Sequence, residues 1–268
     1  MKIEANNVSI NYEISGKGRC FTLIHGAGSN LNMWYKQVPV FSQYYQVLTY
    51  DVRGHGQTEM SEDELTTELW VEDLNALLKS LNISETILLG FSMGGAIAIG
   101  FTLAHPEAVN ALILSNSGGA GAKRSDEEMR QMAANRQAQI KAIKEKGMGA
   151  SVRERIESIF PHGFTEKDPE TIERYIALVS QNNPEKYLRV MQRSQIATTP
   201  PDLSKISCPA LIISGEYDPS GESAGKATQE AIPGSQLKTF PTGHYSALEQ
   251  PQEYNDTVLK FLSGLNIE

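Results

Sequence analysis

A serine flanked by glycines, Gly90-Phe91-Ser92-Met93-Gly94, offers a hydroxyl nucleophile. At neutral pH such a hydroxyl attacks only if a base takes its proton and a third group orients that base. Five histidines are available. His25 and His55 lie in glycine-rich turns, His105 stands before a proline at a helix end, and His162 lies in a helical region, all positions that suit structural roles. His244 differs: it follows the strand pattern Gln236 to Phe240 through Pro241-Thr242-Gly243, on a loop at a strand's carboxyl end. The carboxylate should come from a similar loop, and Gly215-Glu216-Tyr217-Asp218-Pro219 after the strand Ala210 to Ser214 offers Glu216 and Asp218. Asp218 is preferred, because Pro219 fixes the turn after it and Glu216 lies nearer the strand end. Together these residues predict acyl transfer, with Ser92 as nucleophile, His244 as base and Asp218 as its orienting acid. The developing oxyanion needs backbone N–H donors, each contributing roughly 3 to 4 kcal/mol. The amide of Met93 is one, and Ala27 in His25-Gly26-Ala27-Gly28, after the strand Cys20 to Ile24, is the expected second.

The surrounding elements must hold these residues on one edge. Thr86 to Leu89 is a short apolar strand and Gly94 to Leu103 a small, apolar helix, so Ser92 caps a sharp strand-to-helix turn. Glycines two before and two after it let strand and helix approach without side-chain clashes. Upstream, Lys2 to Ala5 and Val8 to Ile14 read as a hairpin around Asn6-Asn7, and Tyr45 to Tyr50 as a strand ending in the structured turn Asp51-Val52-Arg53-Gly54-His55-Gly56. Ser61 to Asn82 predicts a helix with Trp70, Leu74, Leu77, Leu78 and Leu81 on its inner face. Ser61 with Glu64 forms its expected capping box, and Glu68, Glu72, Asp73 and Lys79 its solvated face. His105-Pro106 stops the helix after the serine, and Val109 to Ser115 is the next strand. Strands alternating with helices predict a mostly parallel sheet.

Between Gly118 and Pro201 strands disappear and helix starts recur at Ser125-x-x-Glu128, Asp168-Pro169 and Asn183-Pro184. The expected division is a core of residues 1–118 and 201–268, with 119–200 as a helical insertion. That insertion holds 14 Lys and Arg against 11 Asp and Glu, whereas the remainder holds 10 against 21. Solvated faces of amphipathic helices account for such a balance, and a basic insertion over the site would also favour anionic substrates. The formal charge of −8 speaks against a nucleic-acid partner. The 40% hydrophobic content suits a sizeable core, while no run approaches a membrane span and no leader-like segment opens the chain. A cytoplasmic protein with no membrane partner is expected, with Cys20 and Cys208 reduced. Nothing resembles a metal or nucleotide site, and the mechanism requires no cofactor.

The motifs His25-Gly26-Ala27-Gly28, Asp51 to Gly56, Gly90 to Gly95, Gly215 to Asp218 and Gly243-His244 span nearly the whole chain and resemble the α/β-hydrolase superfamily. The order serine, acid, histidine is the one expected there. The resemblance implies an α/β fold with an eight-stranded, mostly parallel sheet whose second strand is antiparallel, flanked by helices and carrying residues near 119 to 200 as a helical cap. Leu31-Asn32-Met33-Trp34 followed by Gln37 is similar to 3-oxoadipate enol-lactonases and related small esterases. The substrate so implied is a small carboxylic ester or lactone. Ser92 sets the chain apart from dehalogenases and epoxide hydrolases, which carry an aspartate there. The short Gly26-Ala27-Gly28 departs from the longer loop usual in carbon–carbon bond hydrolases. A carbon–carbon or amide hydrolase with the same triad, or a binding protein with a vestigial one, are the alternatives. Trp34 and Phe91, with Met93 and insertion residues, are expected to wall the pocket or else to pack in the core.

Overall fold

A computed structural model describes residues 1–62, 64–117, 125–193, 201–218 and 221–265. The strands are β1 (Lys2–Ala5), β2 (Val8–Ser15), β3 (Cys20–Ile24), β4 (Gln46–Tyr50), β5 (Thr86–Phe91), β6 (Val109–Ser115), β7 (Ala210–Gly215) and β8 (Gln236–Phe240). They form one sheet in the order β1-β2-β4-β3-β5-β6-β7-β8. β2 is antiparallel to β1 and β4, and the pairings from β4 through β8 are parallel. The mostly parallel sheet and its antiparallel second strand are therefore present. β3, β5 and β7 are buried along their whole length, as continuous apolar runs covered on both faces require.

Chain order decides where a ligand can enter. From β3 the chain moves outward to β4, then returns to lay β5 on the other side of β3. The loops leaving β3 and β5 therefore diverge, and a crevice opens above the carboxyl ends of these two strands. Ser92 follows β5 and His25-Gly26-Ala27-Gly28 follows β3, so both border that crevice.

The helices are α1 (Val38–Phe41), α2 (Thr67–Ser80), α3 (Met93–Ala104), α4 (Asp126–Arg153), α5 (Ile156–Ile159), α6 (Phe164–Lys167), α7 (Pro169–Ser180), α8 (Pro184–Arg193), α9 (Gly221–Ala231), α10 (Ser246–Glu249) and α11 (Pro251–Ser263). α3 packs on β5 and β6 and against α2, while α9 packs on β7 and β8. Two expectations for α2 are corrected. It starts at Thr67, where the Thr66 hydroxyl accepts from the Leu69 amide at 3.1 Å, and Ser61 instead accepts from the Arg53 guanidinium. Asp73 is buried, not solvated, because the helical period sets it on the inner face with Trp70 and Leu77. There it holds Arg53, itself 1% exposed, by paired bonds of 2.8 and 2.5 Å. Burial raises the Asp73 carboxyl above its ordinary range, while Arg53 and Asn6 pull it back.

α4 to α8 occupy the stretch expected to be an insertion. The boundaries expected at Gly118 and Pro200 lie outside the described residues. Asp168 and Asn183 cap α7 and α8 as expected, each side chain accepting at 3.0 Å from an amide three residues on. α4 is two helical segments joined at Gly147, whose φ of 80° breaks the helix. These helices are tied to the carboxyl edge of the sheet. Asn182 donates to the Gly28 carbonyl at 2.9 Å and accepts from the Gly56 amide at 2.8 Å, and Tyr175 and Tyr245 share a 2.9 Å hydroxyl bond. Cys20 and Cys208 are free thiols, and no described helix is long and apolar enough to cross a membrane.

Removing the carboxylate from the Arg53–Asp73 pair strands a buried cation. Asp73→Ala should lower stability by about 3 to 5 kcal/mol in urea unfolding, with an unchanged urea dependence (m-value). A loss below about 1 kcal/mol would mean that solvent reaches the pair.

Candidate functional site

Ser92 takes a backbone conformation that glycine ordinarily fills. Its φ of 52° and ψ of −114° are strained for a residue with a side chain. The conformation persists because its surroundings leave no alternative. The Ser92 amide donates to the Ser115 carbonyl at 3.0 Å, and its carbonyl accepts from Gly95 N and Ser117 Oγ, both at 3.0 Å. A Cβ at Gly90 would lie 2.4 Å from the Gly94 carbonyl, and one at Gly94 2.3 Å from that of Ile24. Strand β5, helix α3 and the end of β3 thus meet backbone to backbone. Ser92 is half-buried, and Met93 opens α3, where the first amides have no partner within the helix.

Asp218 and His244 come from neighbouring loops held equally close. The Glu216 amide donates to Phe240 O at 2.8 Å and the Tyr217 amide to Thr242 O at 2.9 Å. A Cβ at Gly215 would fall 2.1 Å from the Gly243 carbonyl, so only glycine fits there. His244 Nδ1 donates to Asp218 Oδ2 at 2.6 Å, with the carboxylate buried. This bond fixes the proton on Nδ1 and leaves Nε2 free to accept one. Of the two candidate acids, the structure brings Asp218 to the imidazole and leaves Glu216 exposed.

The remaining predicted residues fall as follows. Gly26 abuts Ser92, since a Cβ on it would lie 3.2 Å from Ser92 Cβ, and Ala27 is exposed next to it. Phe91 is buried, its ring 5.0 Å from that of His244 and 4.8 Å from that of Tyr245. Its ring packs at a tilt against the imidazole. Trp34 is fully buried in the core. A cavity of about 40 Å³ lies beside Ala27 and Gly28, walled by helices α4, α7 and α8 and by Arg155 after α4, and neither Trp34 nor Phe91 lines it. Tyr175 and Tyr187 reach it, and burial pushes Tyr175 up to about 12 and raises Tyr187, so both phenols stay protonated.

The other histidines have structural surroundings. His25 Nε2 accepts from the Val52 amide at 3.0 Å, His55 packs on it at 5.1 Å, and burial lowers both. His105 caps the end of α3 against Phe101. His162 covers Tyr217 at 3.9 Å, beside the Asp218 loop. Asp51 is the hub of its turn, accepting from Leu31 N, Gln57 N and Asn11 Nδ2, each at 2.8 Å. Among the described residues, no group of three or more His, Cys, Asp or Glu could hold a metal ion.

Two positioning residues escaped the sequence reading. Asn116, directly after β6 and at a φ of 45°, donates from Nδ2 to both Asp218 Oδ2 and Gly243 O at 3.3 Å. Glu249 accepts from the amides on either side of His244, Gly243 N at 3.0 Å and Tyr245 N at 3.2 Å, and its burial raises the carboxyl. The signal for Asn116 was a polar residue at a strand's carboxyl end beside the serine strand. Glu249 sits on a helical turn too short for periodicity to show.

The chain matches the family described as alpha/beta hydrolase fold over residues 21–251. It is 30% identical to 3-oxoadipate enol-lactonase 2 of Acinetobacter baylyi, covering 98% of this chain and 97% of that protein. It is 27% identical to 2-hydroxy-6-oxo-6-(2'-aminophenyl)hexa-2,4-dienoic acid hydrolase of Metapseudomonas resinovorans, covering 97% and 90%. Among solved structures, the enol-lactonase of Burkholderia xenovorans LB400 superposes with a TM-score of 0.86 at 25% identity, over 98% of this chain and 100% of that one.

Two measurements check this geometry. Gly215→Ala should shift or abolish the low-field resonance of the His244 Nδ1 proton while the fold survives; an unchanged resonance would mean that the two loops part freely. His55, pushed down to about 3, stays neutral in the folded protein while the unfolded chain protonates below its ordinary value near 6.5. Stability present above pH 6.5 should therefore fall on acidification toward pH 3, by about 1.4 kcal/mol per unit for this group. In His55→Gln that part of the slope should vanish.

Proposed function

This chain belongs to the α/β-hydrolase fold family, and on that premise we propose that it is a serine hydrolase of small carboxylic esters or lactones. The observation that carries the reading is the 2.6 Å His244–Asp218 bond on the sheet edge where the strained Ser92 turn ends β5. The kinship to an enol-lactonase over almost the whole chain supports the ester or lactone bond as the target.

In this reading Ser92 Oγ attacks the carbonyl carbon as His244 Nε2 takes its proton. Asp218 holds the ring and stabilises the imidazolium. The tetrahedral oxyanion is bound by the amides of Met93 and Ala27, each contributing about 3 to 4 kcal/mol. Gly26, pressed against Ser92, keeps the Ala27 loop beside the serine. Collapse expels the alkoxide or enolate, which takes the proton from His244. Water, deprotonated by His244, then attacks the acyl-enzyme and releases the acid. Helices α4 to α8 act as a cap that limits water and shapes the acyl pocket, with Phe91 setting the tilt of His244.

A second reading is favoured by the similarity to a dienoic acid hydrolase. The same triad would then cleave a carbon–carbon bond in a conjugated ring-cleavage product. Loss of the substrate's colour distinguishes it from ester cleavage.

p-Nitrophenyl acetate, butyrate and octanoate test the primary reading. Ser92→Ala should abolish turnover above background, and Asp218→Asn should lower kcat by on the order of 10³- to 10⁴-fold. Glu216→Gln should retain it within about twofold, as expected of a surface change outside the machinery. Full activity in Ser92→Ala would reject the nucleophile, and a large loss in Glu216→Gln would move the acid role.

A further inference from the structure

At the corner between α7 and α8, one side chain of the helical segment grips two loops of the sheet edge. Asn182 is 2% exposed. Its Nδ2 donates to the Gly28 carbonyl at 2.9 Å and to the Val179 carbonyl at 3.3 Å, and its Oδ1 accepts from the Gly56 amide at 2.8 Å. The bond to Gly28 matters most, because Gly28 lies in the turn that carries Ala27.

That turn is closed by the Ser29 amide, which donates to the Gly26 carbonyl at 3.2 Å. The carbonyl of Gly28 and the amide of Ser29 belong to one peptide group, as do the carbonyl of Gly26 and the amide of Ala27. In a trans peptide the C=O and N–H point opposite ways, so whatever holds the carbonyl aims the amide. Asn182 Nδ2 thus directs the Ser29 N–H, and the Ser29 N–H directs the Ala27 N–H. Three amide groups stand in line, and each hydrogen bond in such a chain polarises the next. The line also needs a grip at Gly28. At a φ of 75°, and with no side chain, Gly28 could swing the Ser29 amide away from Gly26 unless its carbonyl were held. His25 Nδ1 supports the same Gly26 carbonyl at 2.8 Å from the sheet side, with the Val52 amide fixing the ring through Nε2.

We propose that Asn182 is a positioning residue for the oxyanion site, aiming and polarising the Ala27 N–H through the two peptide groups between them. The inference rests on the serine-hydrolase reading above for its effect on rate. The hold of Asn182 on the turn stands without it. The helical segment would then complete the site from above, supplying the alignment of one of its two donors.

Two variants on p-nitrophenyl acetate test it. Asn182→Asp keeps an acceptor for Gly56 but has no N–H for the Gly28 carbonyl, and Asn182→Ala keeps neither. Both should lower kcat by about tenfold or more, as the loss of an aligned oxyanion donor does, with KM little changed. Inhibition by 1,1,1-trifluoro-2-butanone, to which Ser92 adds to give a bound oxyanion, should weaken in step with kcat/KM. Lys186→Met removes another tie of the same corner, from Nζ to the Thr58 carbonyl at 2.9 Å, without touching the turn. It should keep kcat within about twofold. An unchanged kcat in both Asn182 variants, a loss carried by KM instead, or an equal loss in Lys186→Met would overturn the assignment. Should the parent hydrolyse no ester, the hydrolase reading fails separately, and amide hydrogen exchange decides the hold on the turn. Ser29 exchange faster by about tenfold or more in Asn182→Asp, with Lys186→Met at the parental rate, supports it, whereas an unchanged rate overturns it.

Discussion

Everything at the site depends on one close approach, that of the first turn of α3 to the ends of β3 and β5. Gly90, Gly94 and Gly26 stand where a single methyl group would collide with backbone or with the Phe91 ring. Because those three segments touch without side chains between them, Ser92 is forced to a positive φ. The strain costs on the order of 1 to 3 kcal/mol and is held by the hydrogen bonds that grip the Ser92 amide and carbonyl. The place of the Ser92 hydroxyl at the topological switch point follows from that contact.

The same principle recurs at the second half of the site. Gly215 against Gly243 brings the acid and histidine loops together, and Asn116 and Glu249 then lock what the glycines permit. Neither residue touches a reacting atom in this account. Each acts by fixing His244, one through the carboxylate that orients it and the other through the peptide groups that flank it. The helices above add a further constraint, since Gly243 is also pressed against Pro161 and His162 lies on Tyr217. Loops that carry Asp218 and His244 are thus gripped from below by the sheet and from above by the helical segment.

What the sequence showed and hid follows from the range of each interaction. Local signals were legible: Asn6-Asn7 as a hairpin turn, Asp168-Pro169 and Asn183-Pro184 as helix starts, and the strand-to-helix turn at Ser92. The Asp218–His244 pairing was legible too, because both residues follow strands of a parallel sheet and so emerge on one edge. Long-range partners were not. Asp73 read as a surface charge because Arg53, which makes its burial tolerable, is twenty positions away in the chain. Ser61 looked like a cap until Arg53 claimed its hydroxyl.

The most direct test of the central claim is to treat the protein with a fluorophosphonate and locate the adduct by mass spectrometry of its peptides. A nucleophile activated by His244 and Asp218 should give one adduct per chain, on Ser92, formed quickly in the parent and slowly when His244 is replaced by alanine. An unmodified protein, an adduct on another residue, or an equal rate without His244 would contradict the account.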